Sequence, residues 1–150
     1  MPRRIAATVS FEVTLGKPVL LSDLEAHRHR LLTHGVYFLH EGEPRMSAFS
    51  PYSKSVVYIG KAIGETIFSR CRKHRAALRD ERLPSGEPSM RPGKNFKAYR
   101  VAMGGSLQAL YVIPGFLSAS EPYAISCAEE YLLHRYAQRH GGSGPRANTK

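Results

Sequence analysis

The fold of this chain is decided by two segments, GVYFLHEG at residues 35–42 and SVVYIGKA at residues 55–62. Both are rich in β-branched and aromatic residues, which is typical of strands. A polar loop that contains two prolines, at residues 43–55, separates them. The sequence therefore predicts two consecutive strands, of which the second begins near Ser55.

Further elements are predicted on both sides of these strands from hydrophobic periodicity and from capping and turn residues. They are a strand at 5–14, a helix at 22–34 that opens with the capping-box pair Ser22 and Glu25, a basic helix at 64–82, a hairpin of strands at 95–103 and 106–113 around Gly104-Gly105, and a helix that runs from Ser120 to about His140 and stops at Gly141-Gly142. This order predicts one α/β domain over residues 1–150. Its core is expected to be a small mixed, mainly antiparallel sheet flanked by helices.

The composition indicates one globular domain with an anionic partner. The chain has 150 residues, of which 42% are hydrophobic, so neither wholesale disorder nor a membrane-embedded fold is expected. Lys and Arg number 22 against 12 Asp and Glu, which gives a formal net charge of +10. Because so much like charge in a small domain repels itself, we expect a polyanion such as a nucleic acid as the partner.

Several other classes of protein are not expected. No run of about 18 apolar residues is present, so no transmembrane helix and no membrane partner are predicted. The first residues, MPRRI, are not followed by the apolar run of a signal peptide. Cys71 and Cys127 are too few for a disulfide framework or a four-thiolate zinc site. We therefore expect a cytoplasmic protein.

The basic helix carries two polar residues on its apolar face. At 100° per residue, Arg70 and His74 lie in the same stripe as Ile67, Cys71 and Ala77. Burying a charge without a partner is costly, so an inward arginine requires either a structural ion pair or a functional role. The next arginine, at position 72, lies on another face, where it meets solvent or a phosphate.

The last helix shows the same anomaly with the opposite charge. Glu129 lies within an apolar stripe that includes Ala128 and Leu132, whereas Glu130 points away from it. The inward carboxylate of Glu129 and the inward guanidinium of Arg70 can form a buried pair. Alternatively, they are a metal ligand and a phosphate clamp that converge on one site.

An ordered set of motifs runs through the chain: Gly35-Val36-Tyr37, Tyr58-Ile59-Gly60, Arg70-x-x-x-His74, Glu129-x-x-Leu132-Leu133 and Asn148. This set resembles the GIY-YIG nuclease superfamily. The resemblance covers roughly residues 34–148 and is closer to the restriction-endonuclease-like branch. It implies that residues 1–34 are a strand–helix extension to the nuclease core.

Members of this superfamily cleave phosphodiester bonds of nucleic acids with one divalent cation. The resemblance implies that Glu129 holds Mg²⁺ or Mn²⁺, and one carboxylate suffices for a hard cation that keeps several waters. It also implies that Arg70 binds the scissile phosphate, which suits the planar fork of a guanidinium. The chain is therefore expected to be a metal-dependent endonuclease.

The resemblance assigns Tyr37 to the attacking water and places Tyr58 beside it. A free tyrosine titrates near ~10, so its phenol needs help to act as a base at neutral pH. A neighbouring cation would favour the phenolate, or His74 would take the proton through the phenol. The alternative is that His74 only braces Tyr37 and that both tyrosines are ordinary strand residues.

Substrate contacts are expected from Lys61, Arg72 and Asn148, and the expected substrate is duplex DNA. Cutting both strands needs two active sites or rebinding, so a homodimer on DNA is a further hypothesis. Two other classes of function stay open. The chain could be a basic nucleic-acid-binding module that keeps the fold without turnover, or a structural protein with a buried Arg–Glu pair.

Overall fold

The computed structural model describes residues 3–6, 8–79, 109–118 and 121–148. These residues form strands β1 (Val13–Leu15), β2 (Val19–Leu20), β3 (Gly35–Glu41), β4 (Val56–Ala62) and β5 (Leu110–Leu117), and helices α1 (Ile67–Arg79) and α2 (Pro122–Arg139). Short 3-10 helices lie at Leu21–Asp23, Glu25–Arg30 and Met46–Ala48. The predicted small α/β fold is confirmed. Within the described ranges, no helix is both long and apolar enough to cross a membrane.

The described strands form one antiparallel sheet in the order β1-β5-β3-β4, and β2 also pairs with β5. β3 lies inside this sheet, where Tyr37 is opposite Gly60 of β4 and Pro114 of β5. Among the described strands, β4 is the last on one side of the sheet. The two segments on which the fold depends are therefore hydrogen-bonded neighbours.

Alternate residues of β3 supply two separate apolar layers. Tyr37 and Leu39 pack into the layer that contains Ile67 and Cys71 of α1. Val36 and Phe38 pack on the other face of the sheet, where the layer includes the following residues of α2: Ile125, Ala128, Leu132 and Tyr136. This alternation is the period of a strand, and it places α1 and α2 on opposite sides of the sheet.

The region before β3 differs from its prediction. Of the described residues in the predicted strand at 5–14, only Val13 and Thr14 are in a strand, β1, which continues to Leu15. Two 3-10 helices without side-chain caps, Leu21–Asp23 and Glu25–Arg30, replace the predicted helix at 22–34. The second of them is interrupted at His27, where φ is −121°. Leu21, Leu24 and Leu31 are nevertheless all buried. A 3-10 turn rises about 2.0 Å per residue against 1.5 Å for an α-helix, which lets these residues span more distance between β2 and β3.

The two α-helices agree with their predictions more closely. α1 begins after Thr66, whose Oγ1 accepts a hydrogen bond of 3.1 Å from the backbone N–H of Ser69. α2 ends as predicted, since the N–H of Gly142 donates to the carbonyl of Ala137 at 2.8 Å and Gly141 has a φ of 66°. The cap at Ser120, the end of the basic helix at 80–82 and the hairpin residues 95–108 lie outside the described residues.

The loop between β3 and β4 packs against the core. The ring of Phe49 lies 5.6 Å from that of Phe38, and the guanidinium of Arg139 lies 4.8 Å from the ring of Tyr52. His140 also contacts the Tyr52 carbonyl, at 2.6 Å. These aromatic side chains therefore stabilise the domain.

Candidate active site

The first feature of the site is the close packing of Tyr37 against Gly60. A Cβ atom at position 60 would lie 2.5 Å from both Cζ and Oη of Tyr37 and 2.7 Å from Cε1 of Tyr58. Only glycine leaves room for the two phenol rings, which stack with their centroids 6.1 Å apart. The antiparallel register thus explains why glycine follows Tyr58 by two residues: that glycine is the cross-strand neighbour of Tyr37.

α1 adds His74 to the tyrosine pair. The hydroxyl of Tyr37 lies 2.7 Å from Nε2 of His74, and the Tyr58 ring meets the His74 ring edge-on with centroids 4.5 Å apart. Tyr37 and His74 are fully buried, whereas Tyr58 is partly exposed. Burial, assisted by the charge of Arg70, lowers the pKa of His74 to about 3. His74 is therefore neutral. Its Nε2 accepts a hydrogen bond from the Tyr37 hydroxyl when the imidazole carries its proton on Nδ1, and donates one in the other tautomer.

Arg70 precedes His74 by one helical turn and lies over the same cluster. Its side chain is 26% exposed, and its Nε lies 3.3 Å from Oε1 of Glu65 but makes no aligned hydrogen bond. Burial raises the pKa of Tyr37 and Tyr58, and the positive charge of Arg70 acts against this shift in both phenols. Arg70 is thus placed to favour negative charge beside Tyr58, on the side that solvent can reach.

Glu129 approaches β4 from α2 with its carboxylate largely covered. Its Oε1 lies 3.7 Å from Nζ of Lys61, which also donates to Ser126 Oγ at 3.3 Å. The Glu129 side chain is 15% exposed, while Glu130 is an exposed residue, so the predicted inward and outward faces are confirmed. Burial raises the pKa of the Glu129 carboxyl, and the charges of Lys61 and Arg70 oppose the shift.

The predicted alternative of a direct ion pair between Arg70 and Glu129 is wrong. Arg70 is paired with Glu65 and Glu129 with Lys61. The charge of Arg70 still lowers the pKa of Glu129, and Glu129 in turn raises the pKa of Tyr58. The charges of Arg70 and Glu129 therefore both influence Tyr58 at the edge of β4, although the two residues come from helices on opposite sides of the sheet.

Asn148 fixes the backbone of β4 between the two motif residues. Its Oδ1 accepts a hydrogen bond from the Ile59 N–H and its Nδ2 donates to the Ile59 carbonyl, both at 2.8 Å. The N–H of Ala147 donates to the Val57 carbonyl, also at 2.8 Å. Asn148 and Glu129 share the lining of an open polar cavity of about 550 Å³. The amide of Asn148 is thus already engaged with the protein, while its position is beside the site.

Arg72 does not belong to this cluster. Its guanidinium lies 5.7 Å from the centroid of the Phe68 ring, and Arg28 lies 5.0 Å from the same ring. The Arg72 charge also contributes to the low pKa of Glu25 in the N-terminal region. The structure therefore brings seven of the eight predicted site residues to the β4 edge and leaves Arg72 on another side of α1.

Comparisons with protein-family models, with curated proteins and with solved structures found no match for this chain. Its function therefore has to be inferred from the chemistry of the β4 edge. That edge combines two stacked phenols, a neutral imidazole, a guanidinium and a largely covered carboxylate. Such a set can bind a phosphate group and relay a proton.

The carboxylate of Glu129 is the donor at this site that suits a hard divalent cation. Among the described residues, no three His, Cys, Asp or Glu side chains come together as a metal-ligand group. Mg²⁺ does not need such a group, because it is commonly held by one or two carboxylates, waters and substrate phosphate oxygens. Glu129 is the inward carboxylate, and Lys61 would have to move away from it when a cation binds.

Two residues of the site were not predicted from the sequence. Glu65 contacts both Arg70 and Lys73, with 2.6 Å between Lys73 Nζ and Glu65 Oε2. Ser126 accepts the hydrogen bond from Lys61. The spacing of Glu65 five positions before Arg70 has no special meaning in a helix. Glu65 lies just before α1, which begins at Ile67, and this position lets its carboxylate pair with Arg70.

Proposed function

We propose that this chain is a divalent-metal-dependent endonuclease of the GIY-YIG type that hydrolyses phosphodiester bonds in duplex DNA. The observation that supports this most is the packing of the motif residues into one cluster. Tyr37 lies opposite Gly60, stacks on Tyr58 and contacts His74, one helical turn from Arg70. The net charge of +10 supports a polyanionic substrate.

Arg70 and Glu129 would bind the two charged parts of the reacting centre. The guanidinium of Arg70 would hold the scissile phosphate, and its charge would stabilise the extra negative charge of the transition state. Glu129 would hold Mg²⁺ or Mn²⁺, which when bound would act as a Lewis acid on a phosphoryl oxygen. Lys61, once released from Glu129, would contact a neighbouring phosphate.

The proton of the attacking water would leave through the two phenols. The resemblance assigns the attacking water to Tyr37, but Tyr37 has no exposed surface, so the partly exposed Tyr58 would meet the water instead. A hydrogen bond links Tyr58 to Tyr37. Tyr37 in turn contacts Nε2 of His74, which would accept the last proton. Burial is the main cause of the low pKa of His74, but a phosphate on Arg70 would remove the second cause.

A second candidate function is a nucleic-acid-binding module without turnover. It is favoured by the full burial of Tyr37 and by the ion pair that Lys61 makes with Glu129. In that case the phenols and His74 would serve only to pack β3, β4 and α1 together. Binding to duplex DNA would persist, but no cleavage would depend on metal.

The experiment that separates the two functions is incubation of the protein with supercoiled plasmid, with Mg²⁺ or with EDTA. The wild type is expected to nick or linearise the plasmid only with the metal. Glu129→Gln should abolish cleavage and keep DNA binding, while the matched variant Glu130→Gln should cut nearly normally. Plasmid cleavage in EDTA, or an equal loss of cleavage in both variants, would contradict the proposed role of Glu129.

A further inference from the structure

Two arginines share one aromatic ring on the side of α1 away from Tyr37. The guanidinium carbons of Arg28 and Arg72 lie 5.0 Å and 5.7 Å from the centroid of the Phe68 ring. Phe68 itself is 5% exposed, so its ring is a fixed platform. Arg28 comes from the 3-10 helix Glu25–Arg30 and Arg72 from α1, and the ring joins the two elements.

The charges of these arginines are not balanced by the part of the chain that the structure describes. There, neither guanidinium has a carboxylate within ion-pair distance. The nearby carboxylate of Glu25 is held by two hydrogen bonds from Arg75, which lower its pKa to about 2. Cation–π attraction holds each guanidinium, but two cations on one ring repel each other. An anion that both guanidiniums contact would relieve this repulsion.

A phosphate diester is the anion that suits this arrangement best. A cation–π contact leaves N–H groups of a guanidinium available for paired hydrogen bonds, and the planar guanidinium matches two phosphate oxygens. Arg72 lies two residues after Arg70, which is 200° around the helix. Arg28 and Arg72 therefore lie on the side of α1 opposite the guanidinium of Arg70, which faces the tyrosines. The helix between them is about 10 Å wide.

We propose that Arg28 and Arg72 together clamp one backbone phosphate of duplex DNA, at a site separate from the cluster around Tyr37. The proposal rests on the proposed function for its choice of DNA, but it concerns binding and not cleavage. It gives the region before β3 a role: Arg28 holds the duplex on α1 while Arg70 faces the reacting phosphate. The clamp is one contact made by two side chains.

The test measures affinity for a short duplex in EDTA across a salt series, with Arg28→Gln, Arg72→Gln and the double variant. Each single variant should reduce the slope of log K against log salt by about one. Because both side chains hold the same phosphate, the double variant should lose less affinity than the product of the single losses. Arg139→Gln is the matched control, since Arg139 also covers a ring, that of Tyr52.

Single variants that behave like Arg139→Gln would overturn the clamp, and so would fully multiplicative losses. If the glutamine variants prove unfolded by circular dichroism, Arg28→Lys and Arg72→Lys take their place. They should keep the salt slope and weaken binding, because lysine keeps the charge without the planar fork; wild-type affinity would contradict the proposal. If the variants weaken binding as expected but the wild type does not cleave DNA, only the proposed endonuclease function is refuted. If the wild type cleaves DNA but the variants bind it normally, only the clamp is refuted.

Discussion

Tyr37 is a phenol without any exposed surface, and the buried His74 is a hydrogen-bond partner of its hydroxyl. A buried hydroxyl without a hydrogen bond costs about 1–3 kcal/mol, so the contact of 2.7 Å with His74 is a condition for placing Tyr37 in the core. The same burial keeps both groups neutral in the free protein. Stability and chemistry at this position therefore depend on the same few atoms.

Replacing Gly60 with alanine is expected to destabilise the protein by about 1–3 kcal/mol. The new Cβ would lie 2.5 Å from the Tyr37 ring, which is held between β4 and α1 and has little room to move. Gly144→Ala is the control, because a Cβ there meets nothing within 4 Å. Urea unfolding measures both changes, and equal stability of the two variants would contradict the packing of Tyr37 against Gly60.

His74 should make stability fall as the pH is lowered. Its pKa of about 3 in the folded protein lies below the usual 6.5, so between these values the unfolded chain binds the extra proton. The free energy of unfolding should drop on going from pH 6.5 toward pH 3, by at most about 1.4 kcal/mol per pH unit. The raised pKa of Glu129 acts in the opposite direction. Urea titrations of wild type and His74→Gln isolate the histidine, and parallel pH profiles would count against this prediction.

At the scale of elements, the geometry of α1 directs its polar side chains to two different sides of the helix. Arg70 and His74 are one turn apart and face β3 and β4, while Arg72 points to the region before β3. β4 supplies the other half of the site. It ends the strand path of the sheet, and the segment Ala147–Asn148 is bonded to its backbone.

Asn148→Ala should loosen β4 and cost about 1–3 kcal/mol, because two hydrogen bonds to the main chain of Ile59 are lost. The backbone amide of Ile59 should then exchange its hydrogen faster, and this can be measured by NMR. Ser143→Ala, at an exposed position of the same segment, should leave the exchange rate unchanged. Unchanged protection of Ile59 in Asn148→Ala would show that the side chain does not hold the strand.

Among the described residues there is one tyrosine cluster, so the proposed cleavage of both strands of a duplex would require a second copy or a second binding event. A single small domain also offers few contacts for a duplex, despite its charge of +10. We therefore predict that the chain is a monomer alone and forms a homodimer on duplex DNA that it cannot cut. Sedimentation velocity with and without such DNA measures this, and one protomer per duplex at saturation would exclude the dimer.

The local signals of the sequence were sufficient for the strand pair and for the faces of both α-helices. Strand composition predicted β3 and β4, and a period of 100° per residue identified Arg70, His74 and Glu129 as inward residues. These features depend on neighbours within a turn or a strand, so they can be inferred without knowing the fold. The same is true of the end of α2 at Gly141-Gly142.

Tertiary structure alone decided which side chains meet. Arg70 pairs with Glu65 rather than Glu129, Asn148 reaches Ile59, and Arg28 reaches the ring of Phe68. It also replaced the predicted helix before β3 with 3-10 turns, in which the leucines are buried at another spacing. The contacts of Asn148 with Ile59 and of Arg28 with Phe68 join residues far apart in the chain. They depend on strand register and layer packing, which no local pattern of residues encodes.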